Sequence, residues 1–174
     1  MAVWALASDN NYYLIDGIRE RLNPTERIDK LFELHRKWNS ETGKPPKVGY
    51  ERYGMMSDIH YIEKQQQEES YRFHVQEIRS KVNKEERIRR LIPPMERGQI
   101  WLPNDIWVKD HRGLPKSFIS DIIDEEMLLF PFASHDDFLD AMSMIFDMNP
   151  IFPKLKRVSN YGYNDDSQVS VYDL

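Results

Sequence analysis

Val3-Trp4-Ala5-Leu6-Ala7-Ser8-Asp9-Asn10-Asn11-Tyr12-Tyr13-Leu14-Ile15-Asp16-Gly17-Ile18 places two β-rich runs around an Asp/Asn turn. That pattern predicts a hairpin. Asn23-Pro24-Thr25-Glu26 follows. An Asn cap, a Pro at the first helical position and a Glu three residues after the cap predict a helix start. Ile28, Leu31, Phe32, His35 and Trp38 then recur at helical spacing to about Asn39. Gly43-Lys44-Pro45-Pro46 breaks the pattern, and Lys47–Glu51 reads as a strand. Ser57-Asp58 predicts the start of a second helix ending near Ser70, and Tyr71–Val75 alternates like a strand. Asn83 is placed to cap a basic helix from Lys84 to Leu91, stopped by Pro93-Pro94. Gln99–Leu102 predicts another strand, with a further hairpin across Ile106–Val108 and Arg112-Gly113. Two helices close the order, one opened by Pro115 and running through Met127, the other capped by Ser134 and running through Phe146. A hairpin followed by alternating helices and strands predicts an α/β fold, a mixed sheet with helices on both faces.

The length of 174 residues predicts one domain, over residues 1–150, with a tail over 151–174 that is polar and loose from Ser159. The absence of Cys excludes a disulfide scaffold, a thiolate metal site and a Cys nucleophile, and suits a reducing cytoplasm. No apolar run is long enough to span a membrane. Gly-rich phosphate loops and the GxSxG elbow are absent. Net charge is −5, but its distribution says more than the sum. Lys84, Arg87, Arg89, Arg90 and Arg97 make a basic block, whereas Ser117–Pro153 holds eight acids and no Lys or Arg. Such a pair of blocks suits metal-dependent chemistry on a polyanion, and equally two solvated faces.

Glu51 ends a predicted strand, where open α/β sheets bind ligands. Ser134-His135-Asp136-Asp137-Phe138-Leu139-Asp140 is denser. On one helix Asp136, Asp137 and Asp140 fall within about a turn of one another. Oxygen ligands are those Mg²⁺ and Mn²⁺ favour, and without a His/Cys set zinc is not expected. The same residues also imitate a capping box and complement a helix dipole. His135 reads as a ligand-orienting group, a base, or a surface residue. Lys84, Arg87 and Arg90 can share a helix face and meet phosphates, or belong to a solvated helix with Glu–Arg pairs along it. Phe32, Trp38, Phe138 and Phe146 lie at core spacing and read as packing residues.

Five segments then occur in order: Tyr12–Leu22, Val48–Gly54 (VGYERYG), Lys84–Pro93 (KEERIRRLIP), Arg97–Pro103 (RGQIWLP) and His135–Ala141 (HDDFLDA). Together, over roughly residues 3–147, they resemble the C-terminal nuclease domain of the terminase large subunit of tailed bacteriophages and prophages. The resemblance implies a ribonuclease H-like fold that cuts concatemeric double-stranded DNA during packaging, with two Mg²⁺ or Mn²⁺ ions held by acids from three places. Glu51 matches the second place and Asp137, with Asp136, the third; Asp140 and His135 lie in the same motif. Lys84, Arg87 and Arg90 would face DNA. The family's first acid lies on a central strand preceding the segment found here, and no Asp of Met1–Asn11 replaces it. The resemblance therefore implies an N-terminally truncated domain with its first central strand missing, impaired activity and exposed strand edges prone to self-association. Double-stranded DNA, a portal protein or a small terminase subunit are the implied partners, in the cytoplasm of a bacterial host. The alternative is a non-catalytic remnant or a docking module for DNA or a packaging partner.

Overall fold

Apolar-rich runs build the hairpin, β1 (Ala2–Leu6) and β2 (Tyr12–Gly17), antiparallel with a bulge between Val3 and Trp4. The turn passes through Asn10 at φ 63, a conformation Asn tolerates better than most residues. The computed structural model describes residues 1–104, 106–109 and 113–154, without the side chains of residues 53–55 and 57. The expected tail from Ser159, and Arg112 of the second hairpin, lie outside these residues.

The capping box at Asn23 forms: its side chain accepts from the Glu26 N–H, and the Glu26 carboxylate accepts from the Asn23 N–H. From there α1 (Pro24–Thr42) runs with Ile28, Leu31, Phe32 and His35 buried. Parallel strands β3 (Val48–Glu51) and β4 (Val75–Ile78) flank α2 (Arg52–Glu68). The Asn83 side chain caps α3 (Lys84–Arg89), and α4 (Ile92–Glu96) follows. Next come β5 (Ile100–Trp101), parallel to β2, and the antiparallel pair β6 (Trp107–Lys109) and β7 (Pro115–Ser117). The chain continues through α5 (Phe118–Ile122), a π-helical turn (Ile123–Met127), α6 (Asp137–Ser143) and a 3₁₀ segment (Met144–Met148).

The mixed α/β class agrees with expectation, but several boundaries move. The second helix starts at Arg52, because Asp58 is a buried side chain of α2 rather than a cap. The next strand lies at Val75–Ile78, since Tyr71 and Phe73 are occupied in an aromatic cluster with Phe32 and His35. Pro93 and Pro94 open α4, where a missing N–H costs nothing, instead of ending structure. Pro115 belongs to β7, and Ser117 caps α5. Ser134 caps nothing, as α6 begins only at Asp137.

The single mixed sheet is replaced by three small ones: β1-β2-β5, β3-β4 and β6-β7. Among the described residues nothing hydrogen-bonds β1 to β3, so each keeps a partner on one side only. Two buried clusters follow this division. Leu14, Ile88, Leu91, Phe118, Ile122, Phe138 and Met142 form one; Ile28, Leu31, Phe32 and Ile62 form the other. Two glycines allow close approaches to strands. A Cβ at Gly17 would lie 2.7 Å from the Phe138 ring, and one at Gly49 would lie 2.7 Å from Met148 Sδ. The two contacts press the α6 region onto β2 and onto β3, the strand that ends in Glu51.

Candidate functional site

The site is assembled from the end of β3, the basic helix α3 and the start of α6. Ile88 and Leu91 anchor α3 in the core, which aims Lys84, Arg87 and Arg90 along its other side, toward the acid-only segment. They form a ladder. Lys84 Nζ donates to Asp136 Oδ1 at 2.6 Å and to Asp137 Oδ1 at 2.5 Å. Arg87 donates in a fork to both oxygens of Asp140, each at 2.7 Å, and its Nη1 lies 3.4 Å from Glu51 Oε1. Arg90 forks onto Asp147, again at 2.7 Å for both contacts. Such bidentate pairs combine charge with fixed geometry.

Arg87 and Asp140 are the buried members, 8 % and 7 % exposed. Hydrogen bonds to Asp140 raise the Arg87 guanidinium above its ordinary range despite burial. The bond from Lys84 holds the Asp137 carboxyl below the usual carboxylate range. Burial pulls Lys84 down, and its bonds to Asp136 and Asp137 outweigh that pull.

A buried carboxylate sets where α6 starts. Glu126, on the π-helical turn, is wholly buried and accepts from the Phe138 and Leu139 N–H groups, both at 3.0 Å. Arg19 Nε donates to its other oxygen at 2.6 Å. With Glu126 satisfying the first N–H groups, Asp136 and Asp137 are not needed as caps and turn to Lys84.

Of the residues singled out in the sequence, Glu51 and Asp140 thus meet through Arg87, and Asp136 and Asp137 through Lys84. Arg90 stands one turn further along, with Asp147. His135 is exposed just before α6, near enough for its charge to act on Asp137. The three cations at i, i+3, i+6 each pair with acids of another segment, Arg87 in the interior and Lys84 and Arg90 partly exposed. Sequence reasoning missed Glu126 and Asp58. Asp58 is wholly buried, bound in a fork by Arg27 and by the Tyr50 hydroxyl at 2.5 Å. No motif announces either residue.

Among the described residues no group of three or more His, Asp or Glu side chains converges as a ready metal site. The donor chemistry still suits a hard divalent ion. Asp136 and Asp137 already share one cation, the Lys84 ammonium, and the Glu51 and Asp137 carboxylates are 40 % and 82 % exposed. Four carboxylates face two cations here, which leaves the cluster negative. Searches of protein-family models, curated proteins and solved structures find no match to the chain.

Proposed function

We propose that this chain is a metal-dependent DNA endonuclease domain of the terminase type, on a ribonuclease H-like framework. The observation that carries the reading is Arg87, which ties Glu51 at a strand end to Asp140 on the last helix and so draws two distant acidic motifs into one negative cluster. The interrupted order β5-β2-β1 and β3-β4 also suits a five-stranded mixed sheet lacking its middle strand. Glu51, Asp136 and Asp137 would hold Mg²⁺ or Mn²⁺. When bound, the ions supply an attacking water of lowered pKa and stabilise the leaving 3′ oxygen. The chain's own part is positional. Asp140 fixes the Arg87 fork, Arg87 orients Glu51, and Lys84, once released from its aspartates, meets a DNA phosphate. Arg90 and His135 flank that path.

Nicking of supercoiled plasmid in Mn²⁺ tests this. Cleavage is expected to fall to background with EDTA and with Glu51→Ala, whose melting temperature should stay near that of the parent because the side chain is half-exposed. Cleavage that survives Glu51→Ala would sink the assignment.

The pairing of Lys84, Arg87 and Arg90 with internal acids favours a second reading, a non-catalytic module that docks on DNA or on a packaging partner such as a portal or small terminase subunit. A folded chain that binds duplex DNA in Mn²⁺ without nicking it would select that reading.

A further inference from the structure

We infer that the space between β1 and β3 is a strand-acceptor slot, and that its occupant is an extended segment of a partner polypeptide. Each of the two strands has a ladder on one side only among the described residues. A cavity of about 540 Å³ lies beside both, lined by β1 from Ala2 to Leu6 and by β3 from Val48 to Glu51. The same two layers cover both strands. Met1, leading into β1, packs on the α1–α2 cluster, as Val48 and Tyr50 of β3 do. On the opposite face Ala2 and Trp4 pack on the cluster that holds Met142 of α6, and Gly49 lies against Met148 just beyond it. β1 and β3 thus lie between the same helices, with a gap where a ladder would join them.

Backbone chemistry selects the occupant. Two rows of unpaired N–H and C=O groups are matched by another extended chain, which offers both groups at a strand's own repeat. Leu31 and Leu34 of α1, with Met144, Ile145 and Met148 from the α6 region, make its surroundings apolar. Two lining residues, Trp4 and His35, also hold buried ring nitrogens, Nε1 and Nε2, with no hydrogen-bond partner of ordinary geometry among the described residues. Charge sets the ends. Lys47, exposed, precedes β3 and Glu51 ends it, while Arg27, which also lines the cavity, is tied to Asp58. The segment is therefore apolar over a length matching the five residues of β1, acidic beside Lys47 and basic beside Glu51. All seven described strands already belong to ladders, and a second copy would have to give up one of its own. That points to a different chain. Occupancy of the slot is independent of nuclease activity.

Amide hydrogen exchange on the full chain tests it. The probes are two blocked peptides, Glu-Val-Leu-Ala-Val-Ile-Lys and the same residues in reverse order, because the direction of insertion decides which end meets Lys47. One of the two is expected to slow exchange about tenfold or more at those amides of Ala2–Leu6 and Val48–Glu51 that face the slot, while α5 amides hold their rate. Its backbone N-methylated form should protect nothing, because it lacks the ladder donors. Lys47→Glu, at an exposed position, should weaken binding of the protecting peptide by about threefold or more. Slow exchange of the slot amides without peptide would overturn the inference. Seen at every concentration, it would mean that the chain covers its own slot; seen only in concentrated samples with a sedimenting dimer, that a second copy does. Exchange that neither peptide slows, equal protection by the N-methylated form, or binding indifferent to Lys47→Glu would overturn it too.

Discussion

Arg87 is the residue on which the site depends most directly. It is buried, and it neutralises a buried carboxylate. Replacing it with Met leaves Asp140 charged and unpaired in the interior, and losing one partner of a buried pair typically costs about 3–5 kcal/mol. Thermal unfolding of Arg87→Met should show a loss of that order, and the double variant Arg87→Met/Asp140→Leu should recover most of it. Recovery would mark the pair as a structural joint. Tyr50 offers a pH-dependent check on the neighbouring network. Burial first, and then its bond to Asp58, push its hydroxyl up to about 12 from an ordinary 10. A proton retained in the fold but lost from the unfolded chain stabilises fully below pH 10, and that contribution disappears as pH rises toward 12. Discounted for the partial exposure of the ring, the effect is about 1–2 kcal/mol. The stability difference between the parent and Tyr50→Phe should accordingly shrink between pH 9.5 and 12. A constant difference over that window would show that the fold does not raise the hydroxyl's pKa.

At the scale of elements, α6 shows how a helix start can be set from a distance. Ser134 and Asp137 have the spacing of a local cap, and the sequence reads naturally that way. Glu126 does the work instead, from another segment. Glu126→Ala removes the acceptor of two helical N–H groups and leaves Arg19 with Glu125 as its remaining ion partner. A loss of about 2–4 kcal/mol is expected, combining an unmade cap with unpaired buried donors. Exchange at the Phe138 and Leu139 amides should quicken more than at any other position in α6. Local signals were legible where the physics is local. The Asn23 capping box, the Asn83 cap and the hairpin turn all form where residue type and spacing put them. They failed where a long-range partner outcompeted the local one, as with Asp58, claimed by Arg27 and Tyr50, and Ser134, made superfluous by Glu126. Pro93 and Pro94 misled for another reason, because a proline pair ends one helix and equally suits the first turn of the next.

For the molecule as a whole, the α/β class and the element order were legible, and the division of the sheet was not. Strand pairing is a non-local property, and alternation within Val48–Glu51 cannot tell whether Val3–Leu6 lies beside it. Of the candidate site, the residue types were legible and their pairing was not: Glu51 and Asp140 meet on Arg87, and Asp136 and Asp137 on Lys84, which no local pattern announces. The matching three-residue spacing of Lys84 and Arg87 with Asp137 and Asp140 is visible in the sequence afterwards, once the two helices are known to lie against each other.

On the proposed reading, that ladder acts as an ion exchanger with its counterions built in. A phosphate that draws Lys84 away from Asp136 and Asp137 would leave two carboxylates for a cation, and a cation seated between those aspartates would release Lys84 to an anion. The two events would be halves of one exchange. Linkage would then have each ligand raise the affinity for the other, by the same factor in both directions.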